Sequence, residues 1–207
     1  SSFQSKGLLN NSCINVNDVD INKIKLVSEI NNSSFFGEIL DGDLYGSNIE
    51  GTVKTYKDNR NYRLEVNGNS KGPFTTILRL SNLNKIFDAE LEESGEHNTN
   101  FYFISPLTSD FDLLGRNADL KLFTKIKDAS FRNRNTNLNF SNLYSSLEYD
   151  SSSGVKDGFA TIKINNAPVE FAIKKVKERG IFNTQLIAEE NFSAKKIFSE
   201  LDNKNYI

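Results

Sequence analysis

Few side chains in this 207-residue sequence have the types that covalent or metal chemistry needs. His97 is the single histidine and Cys13 the single cysteine. A zinc site draws three or four ligands from Cys, His and carboxylates, so neither residue can nucleate one of known type. His97 sits in the polar run Gly95-Glu96-His97-Asn98 and is expected in a solvent-exposed loop. Cys13 has no neighbouring residue set to activate a thiolate, and one cysteine forms no intramolecular disulfide. Asp41, Asp43, Asp110 and Asp112 would bind calcium only if their turns met. They lack the spacing of a calcium loop, so solvated turns are expected. Glu92-Glu93 and Glu189-Glu190 are paired acids of the kind glycosidases use, but there is no Trp to form a sugar platform. No nucleophile elbow and no Gly-rich phosphate loop occurs. Sequons such as Asn139-Phe140-Ser141 are expected by chance in a chain so rich in Asn and Ser. The sequence therefore predicts a protein that is not an enzyme, with no catalytic residue, metal or cofactor.

What remains is the pattern of apolar residues. From Asn100 to Ala188 they return every second position: Phe101, Phe103; Leu120, Leu122, Ile126; Leu138, Phe140; Ala160, Ile162, Ile164; Val169, Phe171, Ile173; Phe182, Leu186, Ala188. Period two over many segments is the mark of an antiparallel sheet with one apolar face. The first block, to about Val66, reads the same way, with Ile24, Leu26, Ser28 and Ile30 alternating and Ile49, Gly51, Val53 and Thr55 alternating again. Asp41-Gly42-Asp43 is predicted as a turn, Asp58-Asn59 as a hairpin tip, Asn67-Gly68-Asn69 as a strand end, and Asn165-Asn166 as a turn. Helical spacing appears only twice. Phe74, Ile77 and Leu78, then Leu83, Ile86 and Phe87, predict a short helix pair between Pro73 and Leu91, and Ser193 to Leu201 predicts one more helix. Helices so short cannot shield so many strands, so the apolar face must meet a second sheet, close on itself, or hold an apolar ligand.

Composition narrows the partners. A net charge of -2 gives no basic footprint, so nucleic acid is disfavoured. No run of eighteen apolar residues and no export signal occurs. The sequence begins Ser-Ser-Phe and contains no Met, so an excerpt of a longer protein is expected, with any anchor or signal upstream of Ser1.

The order of elements resembles a family. Gly95 to Leu107 is similar to the glycine, polar spacer, alternating strand and Pro-Leu element of AsmA-like proteins of Gram-negative envelopes, closest to the YhdP branch. Ala118-Asp119-Leu120-Lys121-Leu122 and the strand near Phe131 resemble that family's next paired strands. Leu138 to Tyr149 resembles its following strand, and Ala160 to Ile173 the strand pair turned at Asn165-Asn166-Ala167-Pro168. Gly72-Pro73-Phe74 and its helix fit the same order, whereas Tyr144-Ser145-Ser146 stands where members often carry a glycine. The resemblance runs from about Gly72 to Lys174. It implies an elongated, U-shaped, groove-forming antiparallel sheet with short helices at repeat boundaries. It also implies periplasmic location, an inner-membrane anchor outside this segment, and outer-membrane or periplasmic partner proteins.

The leading expectation is thus a non-enzymatic lipid-transfer module that moves phospholipid between the inner and outer membranes. Its groove would be lined by Phe101, Phe103, Leu120, Leu122, Ile126, Leu138, Phe140, Ile162, Ile164, Val169, Phe171, Ile173, Phe182 and Leu186. Residues 1–71 would belong to a preceding unit, 72–192 to a helix pair plus groove unit, and 193–207 to the start of a following one. Acyl chains kept out of water are worth about 0.8 kcal/mol per methylene, so such a conduit needs an unbroken apolar path and no catalytic group. The alternatives are a structural or adhesive β-sandwich or β-solenoid whose apolar residues are sealed inside, and a carbohydrate-active domain.

Overall fold

The computed structural model describes residues 4–16, 19–31, 34–59, 61–80, 89–90, 94–108, 118–136, 138–152, 154–175 and 182–188. The strands are β1 (Gln4–Val16), β2 (Val19–Asn31), β3 (Ser34–Leu44), β4 (Ser47–Asp58), β5 (Asn61–Pro73), β6 (Ala89–Glu90), β7 (Glu96–Leu107), β8 (Asp119–Asn133), β9 (Asn139–Asp150), β10 (Gly154–Ile164), β11 (Ala167–Lys175) and β12 (Phe182–Ala188). One helix, α1 (Phe74–Leu80), interrupts them among the described residues. The protein is mostly β, and its strands form one open antiparallel sheet in the order β1-β2-β3-β4-β5-β7-β8-β9-β10-β11-β12, with β6 paired to β8. Sequence neighbours pair with each other because short turns join them.

Those turns carry the expected chemistry. Tyr45 and Gly46 join β3 to β4 with φ of 52° and 87°, and Asn165 and Asn166 join β10 to β11 with φ of 49° and 70°. Positive φ at both central residues matches the twist of the flanking strands, and Asn tolerates it better than most side chains. Asn59 (φ 56°) lies at the β4–β5 tip, as Asp58-Asn59 predicts. One predicted turn and one predicted strand end fall elsewhere. Asp41-Gly42-Asp43 lies inside β3, where a register shift between Ile39 and Asp43 absorbs the polar residues and the chain reverses only at Tyr45–Gly46. Asn67-Gly68-Asn69 also continues its strand: β5 pairs with β4 without a break from Asn61 to Lys71.

The chain forms two compact units. The first comprises residues 1–72, 98–123 and 149–154; the second comprises 73–97, 124–148 and 155–207. The units are discontinuous in sequence because β7, β8, β9 and β10 each contribute residues to both.

In the second unit α1 packs its apolar side on the sheet. Phe74 and Leu78, each at most 3% exposed, join Ala129, Phe131, Leu138, Phe140, Ile162, Ile164 and Val169 in one buried cluster. Phe131 stacks on Phe140 with centroids 4.6 Å apart, and Phe74 tilts against Phe131 at 6.2 Å. The helix is tied down at its start, where the Phe74 N–H donates to the Gly95 carbonyl at 3.0 Å. Gly95 itself has φ 83°, and a Cβ there would stand 2.3 Å from Ala129 Cα, so only glycine lets this segment pass β8. Ser94 Oγ locks the crossing by accepting from the Ser130 N–H at 3.0 Å and donating to the Ser130 carbonyl. Of the predicted helix pair, the first helix is α1; residues 81–88, and the predicted helix from Ser193 to Leu201, lie outside the described residues.

Candidate functional site

No strand end or loop gathers reactive groups among the described residues. His97 is the clearest departure from expectation: it is the second residue of β7 and only 2% exposed. The strand begins immediately after the Gly95 crossing, so alternation turns Glu96 outward and His97 inward. Burial there holds the imidazole below its ordinary pKa of 6.5. Cys13 is an exposed thiol on β1. Asp41 and Asp43 do share a cleft of about 270 Å³ with Lys23, Gly46, Ser47 and Asn48. However, Asp43 already receives the Gly46 N–H at 3.0 Å and faces Lys23 Nζ at 3.8 Å, so the cleft carries its own cation. Asp110 and Asp112, Glu92-Glu93 and Glu189-Glu190 lie outside the described residues. No group of three or more His, Cys, Asp or Glu that could hold a metal occurs among the described residues.

The site that does emerge is a surface, and register builds it. Across β1 to β5 of the first unit, Gly7, Ser28, Gly37, Val53 and Val66 stand directly opposite one another in one row. Two residues away along each strand, on the same face, run two flanking rows. One is Leu9, Leu26, Ile39, Gly51 and Gly68; the other is Ser5, Ile30, Phe35, Thr55 and Leu64. This face is apolar yet incompletely covered. Leu9 is 47% and Ile30 44% exposed, while Phe35, Ile39, Val53, Leu64 and Val66 are half-buried. It closes toward the β3–β4 turn, where Leu44 and Ile49 are each 7% exposed and Gly42 leaves room for Ile49 and Ile21. Farther along, Phe101 of β7 lies over Gly68, where a Cβ would meet the ring at 2.6 Å. Among the described residues the one helix packs in the other unit and every strand belongs to the sheet itself.

The opposite face of these strands mixes ion pairs with exposed apolar side chains, Leu8 at 63%, Val27 at 40% and Phe36 at 38%. Lys6 pairs with Glu29 at 3.8 Å and Lys54 with Glu65 at 3.9 Å. Asn69 donates through Nδ2 to Asn98 at 2.6 Å and to Asn100 at 2.8 Å. Tyr102, on the same side as Asn98 and Asn100, has its phenol pushed above its ordinary pKa of 10.0 by burial first and then by the Glu65 carboxylate. Water therefore meets ion pairs interspersed with apolar side chains on one side and continuous half-covered hydrocarbon rows without charge on the other.

The predicted groove residues divide between the two units. Phe101, Phe103, Leu120 and Leu122 lie in the first, half-buried. Leu138, Phe140, Ile162, Ile164 and Val169 lie in the second, no more than 8% exposed in the cluster under α1, with Ile126 packed against it. Phe171, Ile173, Phe182 and Leu186 occupy β11 and β12, where Phe171 stands opposite both Ala160 and Leu186; their side chains lie outside the described residues. The rows through Leu26, Phe35, Ile39, Val53 and Val66 are absent from the predicted groove. Their alternation is plain in the sequence, but which strands α1 covers is a tertiary fact.

No family model, curated protein or solved structure matches this chain.

Proposed function

We propose that this chain is a non-enzymatic lipid-binding module that holds phospholipid acyl chains against the half-covered face of β1 to β5 and β7. The observation that supports it is the pairing of an apolar face, with Leu9 and Ile30 nearly half exposed, and an ion-paired face on the same strands. An exposed apolar area in water normally marks a partner or ligand surface. Acyl chains fit its chemistry, since the rows offer hydrocarbon and small hydroxyls but no cluster of charges for a polar ligand. The resemblance to AsmA-like proteins makes the wider setting a periplasmic lipid bridge between inner and outer membranes, anchored outside this segment and handing lipid to partner proteins. In this reading the second unit is scaffold, because the apolar residues of its buried cluster are already covered by α1.

The test is to purify the chain from cells without detergent and extract it for lipid analysis by mass spectrometry. Co-purified phospholipid, and saturable uptake of a fluorescent phospholipid after its removal, are the expected results. A monodisperse, lipid-free protein that takes up no phospholipid would overturn the reading and leave a structural sheet protein in its place.

A further inference from the structure

Gly37 occupies the centre of the middle row, yet the space above it is taken. A Cβ built there would lie 3.0 Å from Cζ and 3.1 Å from Cε1 of Phe35, and 3.1 Å from Cδ1 of Leu26. Phe35 belongs to one flanking row and Leu26 to the other. Their side chains thus reach toward each other across the glycine and close the middle row at β3. On either side the row is lined by smaller groups, Ser28 toward β2 and Val53 then Val66 toward β4 and β5. With strands about 4.8 Å apart, five strands make a path of about 19 Å across the sheet, interrupted at its midpoint by one ring.

We infer that Phe35 is the gate of the acyl-chain site, a conclusion that rests on the lipid-binding reading above. The backbone beneath the ring is held, because the Phe35 N–H donates to Thr55 Oγ1 at 3.2 Å. Only the side chain is left to move, and a half-buried phenylalanine does so by changing χ1 rotamer. With the ring down, Gly37 is sealed and the row is filled by the protein's own hydrocarbon. With the ring up, a single linear chain can lie along the row from Gly7 to Val66, between the ridges of Leu26 and Ile39 on one side and Ile30 and Leu64 on the other. Glycine at 37 lets the ring rest there, because a Cβ would crowd Phe35 and Leu26 at 3.0–3.1 Å.

Stopped-flow uptake of a pyrene-acyl phosphatidylglycerol from phosphatidylethanolamine–phosphatidylglycerol vesicles tests this with the delipidated full chain. Phe35→Ala is expected to speed both loading and release by about two- to tenfold, the scale of one unfavourable rotamer, with a smaller change in affinity. Gly37→Ala, whose new methyl meets only side-chain atoms, displaces the ring from its closed position and should speed loading, by less than Phe35→Ala. Phe35→Leu keeps an apolar branch and should fall between Phe35→Ala and the wild type; it also serves if Phe35→Ala does not fold. Uptake by Phe35→Ala but not by the wild type would show a gate closed at rest. Wild-type uptake with unchanged rates in all three variants overturns the gate and leaves the binding site standing. No uptake by any of the proteins overturns both.

Discussion

Phe131 and Phe101 stand on the apolar sides of their units and do opposite work. Phe131 stacks on Phe140 and meets Phe74 at a tilt, in a cluster whose members are all below a tenth exposed. Phe101 lies across a glycine and stays half-buried. The difference is a helix of seven residues, α1, that only the second unit has among the described residues. Alternating apolar residues therefore have two fates in this sheet: sealed as core, under α1 in the second unit and at Ile24, Leu44 and Ile49 of the first, or left partly covered as surface, as at Leu9 and Ile30. What a residue contributes to stability or to ligand binding follows from that fate more than from its type.

The sharpest way to break the comparison is to place the same charge in each unit. Val169→Asp puts a carboxylate at a position 1% exposed, within the buried hydrocarbon cluster. It should cost about 3–5 kcal/mol, the scale of an uncompensated buried charge, and remove the cooperative melt of that unit. Ile30→Asp puts it at a position 44% exposed, where the carboxylate can turn to water. Melting should be nearly unchanged while phospholipid uptake falls. Equal loss of the melt in both variants would mean that the first unit's face is sealed core as well.

Glycines sharpen the same contrast at a smaller scale. Gly95→Ala strains a backbone at φ 83° and drives a methyl into Ala129 Cα, so neither conformation nor neighbour can yield. A loss of about 2 kcal/mol or more is expected in thermal or urea unfolding. Gly37→Ala meets only the tips of Phe35 and Leu26, which can rotate, and should cost less than about 1 kcal/mol. Should the two costs prove equal, the ring over Gly37 is as fixed as the backbone over Gly95.

How far the sequence reveals this depends on which physical scale set each feature. Period-two alternation is local, and it predicts the strands and the Asn165-Asn166 turn correctly. Phase slips hide in it: Asp128 and Asn142 adopt φ of 51° and 52°, and the burial pattern shifts by one residue there, so that Ile126 is followed by Ala129 and Phe140 by Leu143. Polar triplets misled at Gly42 and Gly68 because those glycines serve side-chain room, for Ile49 and Phe101, inside continuous strands. His97 reads as loop because its neighbours are polar, yet Glu96 and Asn98 sit on the outward side of β7 and leave His97 on the inward one. The choice of which apolar residues α1 covers depends on contacts between segments far apart in sequence, such as Phe74 with Phe131 and Phe140. No local pattern encodes it.

His97 gives the second unit a dependence on pH. Its folded pKa lies below 6.5 through burial, so the unfolded chain takes up the proton first as pH falls. Stability from the neutral imidazole is full above the unfolded value and is lost progressively as pH drops below it toward the folded one. The melting temperature of the wild type should therefore decline on acidification through this window, and that of His97→Gln should decline less. A profile that is the same in both proteins would show that His97 gains enough hydrogen bonding on protonation to offset its burial.

The smallest effect belongs to the outward face of the first unit. Lys54 and Glu65 stand opposite each other on β4 and β5 at 3.9 Å, with the lysine side chain 46% exposed. Water and salt screen such a pair, and holding two long side chains together costs rotamer freedom, so its contribution is about 0.2–1 kcal/mol. Lys54→Ala should shift the melt slightly in dilute buffer and hardly at all in high salt, and it should leave phospholipid uptake unaltered. Uptake that fell with Lys54→Ala would mean that lipid headgroups reach round to the charged side, and the division of labour between the two faces of these strands would have to be redrawn.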